Sequence, residues 1–343
     1  MAGTLALLDN AVTRVVANKL ESDHNRLLGT HNTMHLARAV SRLNNAGYLH
    51  HRRRLYEQSL PQLFDENGPP ACPHTRMKDG WALDTSRLLP HIDQLIEESQ
   101  QIIKERGGVH RGGGERSFFQ QILTDEHIAR FPSILNFATS TDVLRTVIDY
   151  MKMIPTLSVS KPLGVRLAES DAKLSEPTNG LYRESQLFHR DYHDLPMVYV
   201  IVALRDVTLQ SGPFSILPAS VSARASVALE YGKRGRPYRI TDEEMYKHVD
   251  RKDLFEFACP AGSVLFVDSS ACFHYGSRDA IVPRYLMMYA YVSVCRTDFG
   301  DLLRKESPQP VVDDSSRTRR ARYPVGANAS RLRQLVLDRH ALV

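Results

Sequence analysis

The chain has 343 residues, 42% of them hydrophobic, enough to bury a sizeable core in one large domain or two smaller ones. Its 44 basic and 39 acidic residues leave a net charge of +5, and the basic residues fall in short patches at 50–54, 233–236 and 317–322. That distribution fits an anionic substrate and lacks the continuous basic stripe that nucleic acid would ask for. No apolar run approaches the ~20 residues of a membrane span. The opening MAGTLALLDNAVTRVV has no basic region ahead of its apolar residues, so it does not read as a signal peptide. Cys72, Cys259, Cys272 and Cys295 show neither a CxxC pair nor zinc spacing. The expectation is a soluble cytoplasmic protein with reduced thiols, no membrane and no nucleic-acid partner.

In chain order, Leu5, Leu8 and Val12 recur at helical spacing, and Asn32 is placed to cap a helix carrying Leu36, Val40 and Leu43 that stops at Gly47. HHRRRLYEQ, residues 50–58, reads as a solvated face. Residues 66–78 contain three prolines and a glycine and read as a loop. Asp84 is the expected N-cap of a helix through Leu88, Ile92, Leu95 and Ile102 that ends at Gly107 and Gly108. The glycine-rich residues 109–116 read as a connector, and Thr141 to Met153 as a further helix. Residues 1–116 thus form a helical N-terminal extension that could cover a pocket or build a homodimer.

From Thr156 the period changes. TLSVS, LGVRL, QLFHRD, MVYVIVAL, PFSIL, LFEFA, SVLFV and RYLMMYAYVSV follow one another, bounded by Pro, Gly and Asp. Eight short strands without long intervening helices indicate an antiparallel jelly roll over residues 117–298, a mainly β fold of cupin-like kind with flanking helices. Residues 219–253 interrupt it as a partly helical, lid-like insertion. Within that insertion YGKRGRPYR, residues 231–239, is either a solvated loop or a closing loop for an acidic substrate. Residues 299–343 read as a polar linker, centred on 307–316, and a tail helix through Leu332, Leu335 and Leu337.

The chemistry centres on QLFHRDYHD. In a strand, His189 and Asp191 project from the same face. His274, between the SVLFV and RYLMM runs, is the candidate third ligand of a 2-His-1-carboxylate Fe(II) site, a geometry that leaves positions open for substrate and O2. Taken alone the H-x-D triplet is weak, and its plain reading is a strand-end histidine bonded to a neighbouring acid. Arg284 adds to it. A guanidinium on an otherwise apolar strand needs a carboxylate, and the distal carboxylate of 2-oxoglutarate would serve. His193 offers a rival set, a metal held by His189, Asp191 and His193, if the strand continued; Asp194-Leu195-Pro196 suggests that it has ended. Tyr182, Tyr192 and Tyr199 lie close enough in sequence to reach such a pocket.

The order of HRD, ALRDVTLQSGPFSILPAS, GSVLFVDSSACFH and PRY, with FPSILNF and DVLRTVIDYMKM before it, resembles the phytanoyl-CoA dioxygenase-like branch of the Fe(II)/2-oxoglutarate oxygenases over residues 131–295. The resemblance implies a double-stranded β-helix, iron held by His189, Asp191 and His274, and 2-oxoglutarate held by Arg284. Gln186, Ser277 and Lys161 are further candidate contacts of 2-oxoglutarate. The implied reaction is hydroxylation or a related oxidation of a small molecule, with O2 consumed and succinate and CO2 released. Asp191 sets the chain apart from the halogenating relatives, which carry a small residue there. PASV at 218–221 replaces the PGSH of many members, and residues 1–116 have no counterpart. The alternative is a catalytically silent jelly roll that binds a small molecule or a partner.

Overall fold

The computed structural model describes residues 29–105, 120–158, 164–170, 181–295 and 323–343. The expected helix through Leu5, Leu8 and Val12, the connector at 109–116, Lys161 and the linker at 307–316 lie outside the described residues.

Among the described residues, ten strands make two antiparallel sheets. They are β1 (Trp81–Asp84), β2 (Gln120–Gln121), β3 (Thr156–Leu157), β4 (Val165–Ser170), β5 (Val198–Ala203), β6 (Ser215–Ile216), β7 (Phe255–Glu256), β8 (Val264–Asp268), β9 (His274–Tyr275) and β10 (Arg284–Val292). The larger sheet runs β1-β8-β5-β10-β4-β2, with β3 also on β10; the smaller runs β7-β6-β9. A bridge between His189 and His274 carries the smaller sheet one segment further. From β4 onward the chain passes between the sheets as large, small, large, small, small, large, small, large. That path is a double-stranded β-helix, the jelly roll expected from the strand count.

Side-chain alternation explains why the long strands read as unbroken apolar runs. Val198, Val200 and Val202 of β5, with Tyr285, Met287, Tyr289 and Tyr291 of β10, join the cluster that faces the helices. Tyr199, Ile201 and Ala203, with Leu286, Met288 and Ala290, face the smaller sheet, where they meet Phe214, Ile216 and Phe257. A sheet covered on both sides has no solvent face to keep polar. The cover is helical: α2 (Ala46–Asn67), α3 (Ile92–Glu105), α4 (Asp125–Arg130), α5 (Ser133–Ala138) and α6 (Thr141–Met151), joined by α9 (Arg331–Leu337) near the end of the chain; α1 (Gly29–Asn44), whose Met34 packs in a separate cluster, lies on the opposite side with α7 (Ala219–Ala228) and α8 (Asp242–Met245). Leu95, Phe137, Val143, Val147, Leu332 and Leu335 fill the outer layer. No helix among the described residues is long and apolar enough to cross a membrane.

Several local expectations are corrected. Asp84 does not cap a helix; it ends β1, where its Oδ1 accepts from Ser86 N and Oγ and its Oδ2 from Thr75 Oγ1. WALD is too short to display a strand period, and α3 begins only at Ile92. Before β1, Gly80 sits at φ +85, and a Cβ there would lie 2.7 Å from Cys272 Sγ. Asn32 lies inside α1, whose break comes at Asn45, and Gly47 lies inside α2. HHRRRLYEQ is not wholly solvated, because Arg52 is buried. QLFHRD is a 3-10 turn at Glu184–Gln186 followed by isolated bridges, Phe188 to Ile240 and His189 to His274, each to a different segment, so no continuous ladder forms.

Candidate metal centre

Reciprocal backbone bonds set the two histidines side by side: His189 N to His274 O at 3.1 Å and His274 N to His189 O at 3.0 Å. Their ring centroids are 4.3 Å apart. Each imidazole is oriented by its own chain, with His189 Nδ1 2.8 Å from Leu187 O and His274 Nδ1 3.0 Å from Cys272 O. A carbonyl can only accept, so Nδ1–H donates in both rings and both Nε2 lone pairs are left for a ligand. Asp191 is held by its N–H on Ser269 O at 2.9 Å, and its Oδ2 lies 3.6 Å from His274 Nε2. Donor atoms of His189, Asp191 and His274 all lie within 4.8 Å of one another.

Protonation suits a metal. Burial disfavours a charged Asp191, but His274, His189 and His193, with a hydrogen bond from Ser269, outweigh it and bring the carboxyl down to about 2. Burial, then the neighbouring His274 and Arg239, holds His189 well below the ordinary histidine value. Burial lowers His274 too, against the pull of Asp191. At neutral pH the triad is therefore one carboxylate and two neutral imidazoles, the donor set of a divalent cation with open positions opposite. His193 is half-buried near Asp191 and outside this donor group.

Arg284 opens β10 directly opposite Ser170 of β4 and points into the space between the sheets. It is 4% exposed. Its Nη2 donates to Ser277 Oγ at 2.9 Å and its Nη1 to Gly212 O. Burial lowers its pKa to about 10, and no acidic side chain among the described residues offsets that burial. The guanidinium belongs to the same interior as the triad. A Cβ on Gly276 would lie 3.6 Å from both Arg284 Nη2 and the Phe214 ring, and that ring is 5.3 Å from the ring of His274.

The other candidates are distributed differently. Ser277, at φ +63, touches Arg284 through its hydroxyl. Gln186 is fully buried; its amide nitrogen donates to Ser277 O at 2.7 Å and its oxygen accepts from Arg183 N, so it braces the loop that carries Ser277. The insertion folds over the outer side of the smaller sheet. Val221, Ala225, Tyr231, Ile240 and Met245 pack on Phe188, Tyr192 and Phe273. Two tyrosines there clamp the ligand segment: Tyr231 Oη accepts from Arg190 N at 3.1 Å, and Tyr238 Oη donates to Arg190 O at 2.5 Å.

Asp268 was not singled out by the sequence. Its Oδ1 accepts from Ser270 N at 2.9 Å and from Ser270 Oγ and Met197 N, and its Oδ2 accepts from Tyr150 Oη at 2.8 Å. It fixes the turn whose Ser269 and Cys272 carbonyls hold Asp191 and His274. The signal was present in DSS, an Asx-turn pattern six residues before a ligand.

No family model and no curated protein matches this chain. Solved structures do. The epimerase SnoN, crystallised with Fe3+, alpha ketoglutarate and nogalamycin RO, is 12% identical, with 73% of this chain and 93% of that one covered at a TM-score of 0.45. The alpha ketoglutarate dependent carbocyclase SnoK is 15% identical over 69% and 90% of the two chains, with a TM-score of 0.43. HygX from Streptomyces hygroscopicus, with nickel and 2-oxoglutarate bound, is 16% identical over 68% and 86%, with a TM-score of 0.37.

Proposed function

We propose that this chain is a non-haem Fe(II)- and 2-oxoglutarate-dependent oxygenase of the phytanoyl-CoA dioxygenase-like kind, cytoplasmic, acting on a small and anionic molecule. The observation that carries the reading is Arg284: a buried cation with no acid beside it among the described residues, in the same interior as a His-Asp-His donor set. Burying a guanidinium without a counter-ion is costly, and a bound dicarboxylate removes that cost. The residues fit the group on two counts, donor chemistry at one end and an unneutralised fork at the other.

His189, Asp191 and His274 would hold the metal through two Nε2 atoms and a carboxylate oxygen, on one face. Arg284 and Ser277 Oγ would bind the distal carboxylate of 2-oxoglutarate, with Lys161 and Gln186 as further candidates at that end. Iron with 2-oxoglutarate and O2 supplies the oxidising equivalents for hydroxylation or a related oxidation, releasing succinate and CO2. The protein's share is placement and exclusion of water. Phe214, Ile216, Leu286 and Met288 line the interior with apolar surface. A homodimer through the N-terminal helices belongs to the same proposal.

Anaerobic optical titration with Fe(II) and then 2-oxoglutarate tests it. A visible charge-transfer band requiring both, and weakened in Arg284→Ala and Asp191→Ala, is the expected result. A wild type that binds metal tightly but gives no band and no 2-oxoglutarate turnover is instead a silent jelly-roll binder.

A further inference from the structure

We propose that Arg239 anchors an oxyanion, a carboxylate or phosphate group, of the substrate beside the His189, Asp191 and His274 centre. The inference rests on the functional reading above and extends it to the substrate's chemical class.

Backbone register places the side chain. Phe188 N donates to Ile240 O at 3.0 Å and Ile240 N to Phe188 O at 2.9 Å, a directly opposed pair. Phe188 and Ile240 both turn into the apolar cluster under the insertion. The next residue along one segment and the preceding one along the other, His189 and Arg239, therefore turn to the opposite face, the one that carries the metal ligands. Tyr238 continues the contact: the Arg239 guanidinium carbon lies 4.9 Å from its ring centroid, and that ring is 6.5 Å from His189.

The guanidinium is incompletely satisfied. Its Nη1 is buried and has no hydrogen-bond partner among the described residues. Its Nη2 approaches Glu184 Oε2 at 3.7 Å, beyond hydrogen-bond length. Neighbouring cations are better served. Lys233 and Arg236 bond Glu230, Arg278 bonds Asp242, and Arg190 bonds Ser270 O and Ser226 Oγ. A planar fork with an unfilled donor, on the wall of a metal site, suits a two-oxygen acceptor. Arg284 already provides a separate cation for the cosubstrate's distal carboxylate, which leaves Arg239 for the substrate. Glu184 competes weakly for the same cation and would be displaced on binding.

The test uses the full chain loaded with Mn(II) and saturating 2-oxoglutarate, with inorganic phosphate and acetate as probes by calorimetry and phosphorus relaxation. Phosphate is expected to bind close enough to Mn(II) for strong relaxation. Arg239→Gln should weaken it by at least about tenfold, the worth of one charge-assisted bond, with 2-oxoglutarate affinity unchanged. Arg239→Lys should recover part of the affinity, and Glu184→Gln should raise it above wild type. Equal phosphate and acetate affinity in Arg239→Gln and wild type overturns the proposal, as does no binding of either probe to wild type. An equal loss of 2-oxoglutarate affinity reassigns Arg239 to the cosubstrate and also overturns it. If wild type takes up no Mn(II), the metal reading fails, and the same comparison on the metal-free protein still decides Arg239.

Discussion

Arg52 and Arg284 are both buried arginines, and their surroundings give them opposite roles. Arg52 on α2 donates to Pro155 O at 2.8 Å, Leu335 O at 2.6 Å and Asp338 O at 2.9 Å, so it caps the carboxyl end of α9 and ties it to the residues before β3. Burial brings its pKa down to about 9, with Asp338 opposing. Arg52→Met strands those carbonyls, and urea unfolding should show a loss of about 3 kcal/mol. Arg284 reaches one hydroxyl and one carbonyl and, among the described residues, has no acid. Arg284→Met should leave the metal-free protein's melting temperature equal or higher, while calorimetry shows 2-oxoglutarate affinity falling on the order of 100-fold, two charge-assisted bonds' worth. A fall in melting temperature as large as that of Arg52→Met would make Arg284 a structural residue.

The element that deserves the name of a ligand carrier is the turn between β8 and β9. It presents Ser269 O to Asp191 N, Ser270 O to Arg190 Nε and Cys272 O to His274 Nδ1. Asp268 holds that turn from one side, and Tyr150 of α6 anchors Asp268 from the other. Groups that orient metal ligands without touching the metal commonly contribute 10- to 100-fold in affinity, so Asp268→Ala should weaken Mn(II) binding by roughly that factor. Tyr150→Phe removes one bond from the same carboxylate and should give a smaller effect in the same direction. Metal affinity unchanged in Asp268→Ala would show that the backbone pairing of His189 with His274 is sufficient to orient the ligands.

Over the whole molecule, histidine burial sets the acid limb of stability. His189, His274, His74, His127 and His340 all have pKa values lowered chiefly by burial. Above the unfolded-chain value near 6.5 both states are neutral and nothing changes. Below it the unfolded chain binds more protons, so stability falls as pH drops. The fully enclosed His189 and His274, where they stay neutral, each cost up to about 1.4 kcal/mol per pH unit, while the part-exposed His74, His127 and His340 add little because solvent screens them. The urea midpoint of the metal-free protein should therefore be flat from pH 8 to 7 and decline steadily to pH 5. Saturating Mn(II) should steepen that acid loss, because protons and metal compete for the same imidazoles.

Local chemistry made much of this legible in the sequence. Runs such as VYVIVA and RYLMMYAYV are apolar and β-branched or aromatic, so they announce strands buried on both faces. His189 and Asp191 share a face by period alone, and Arg284 stands out because an apolar strand gives a guanidinium no reason to be there. Tertiary structure decided what local chemistry cannot encode. WALD became a strand because β8 offered it a free edge. Arg52, in a run that looks solvated, was buried because α9 returned from the far end of the chain with unpaired carbonyls to satisfy. Arg239 turns to the side of His189 because one backbone pair, Phe188 with Ile240, fixed which way that residue faces. Periodicity records which side of an element is apolar; only the packing of distant segments determines what lies opposite each polar group.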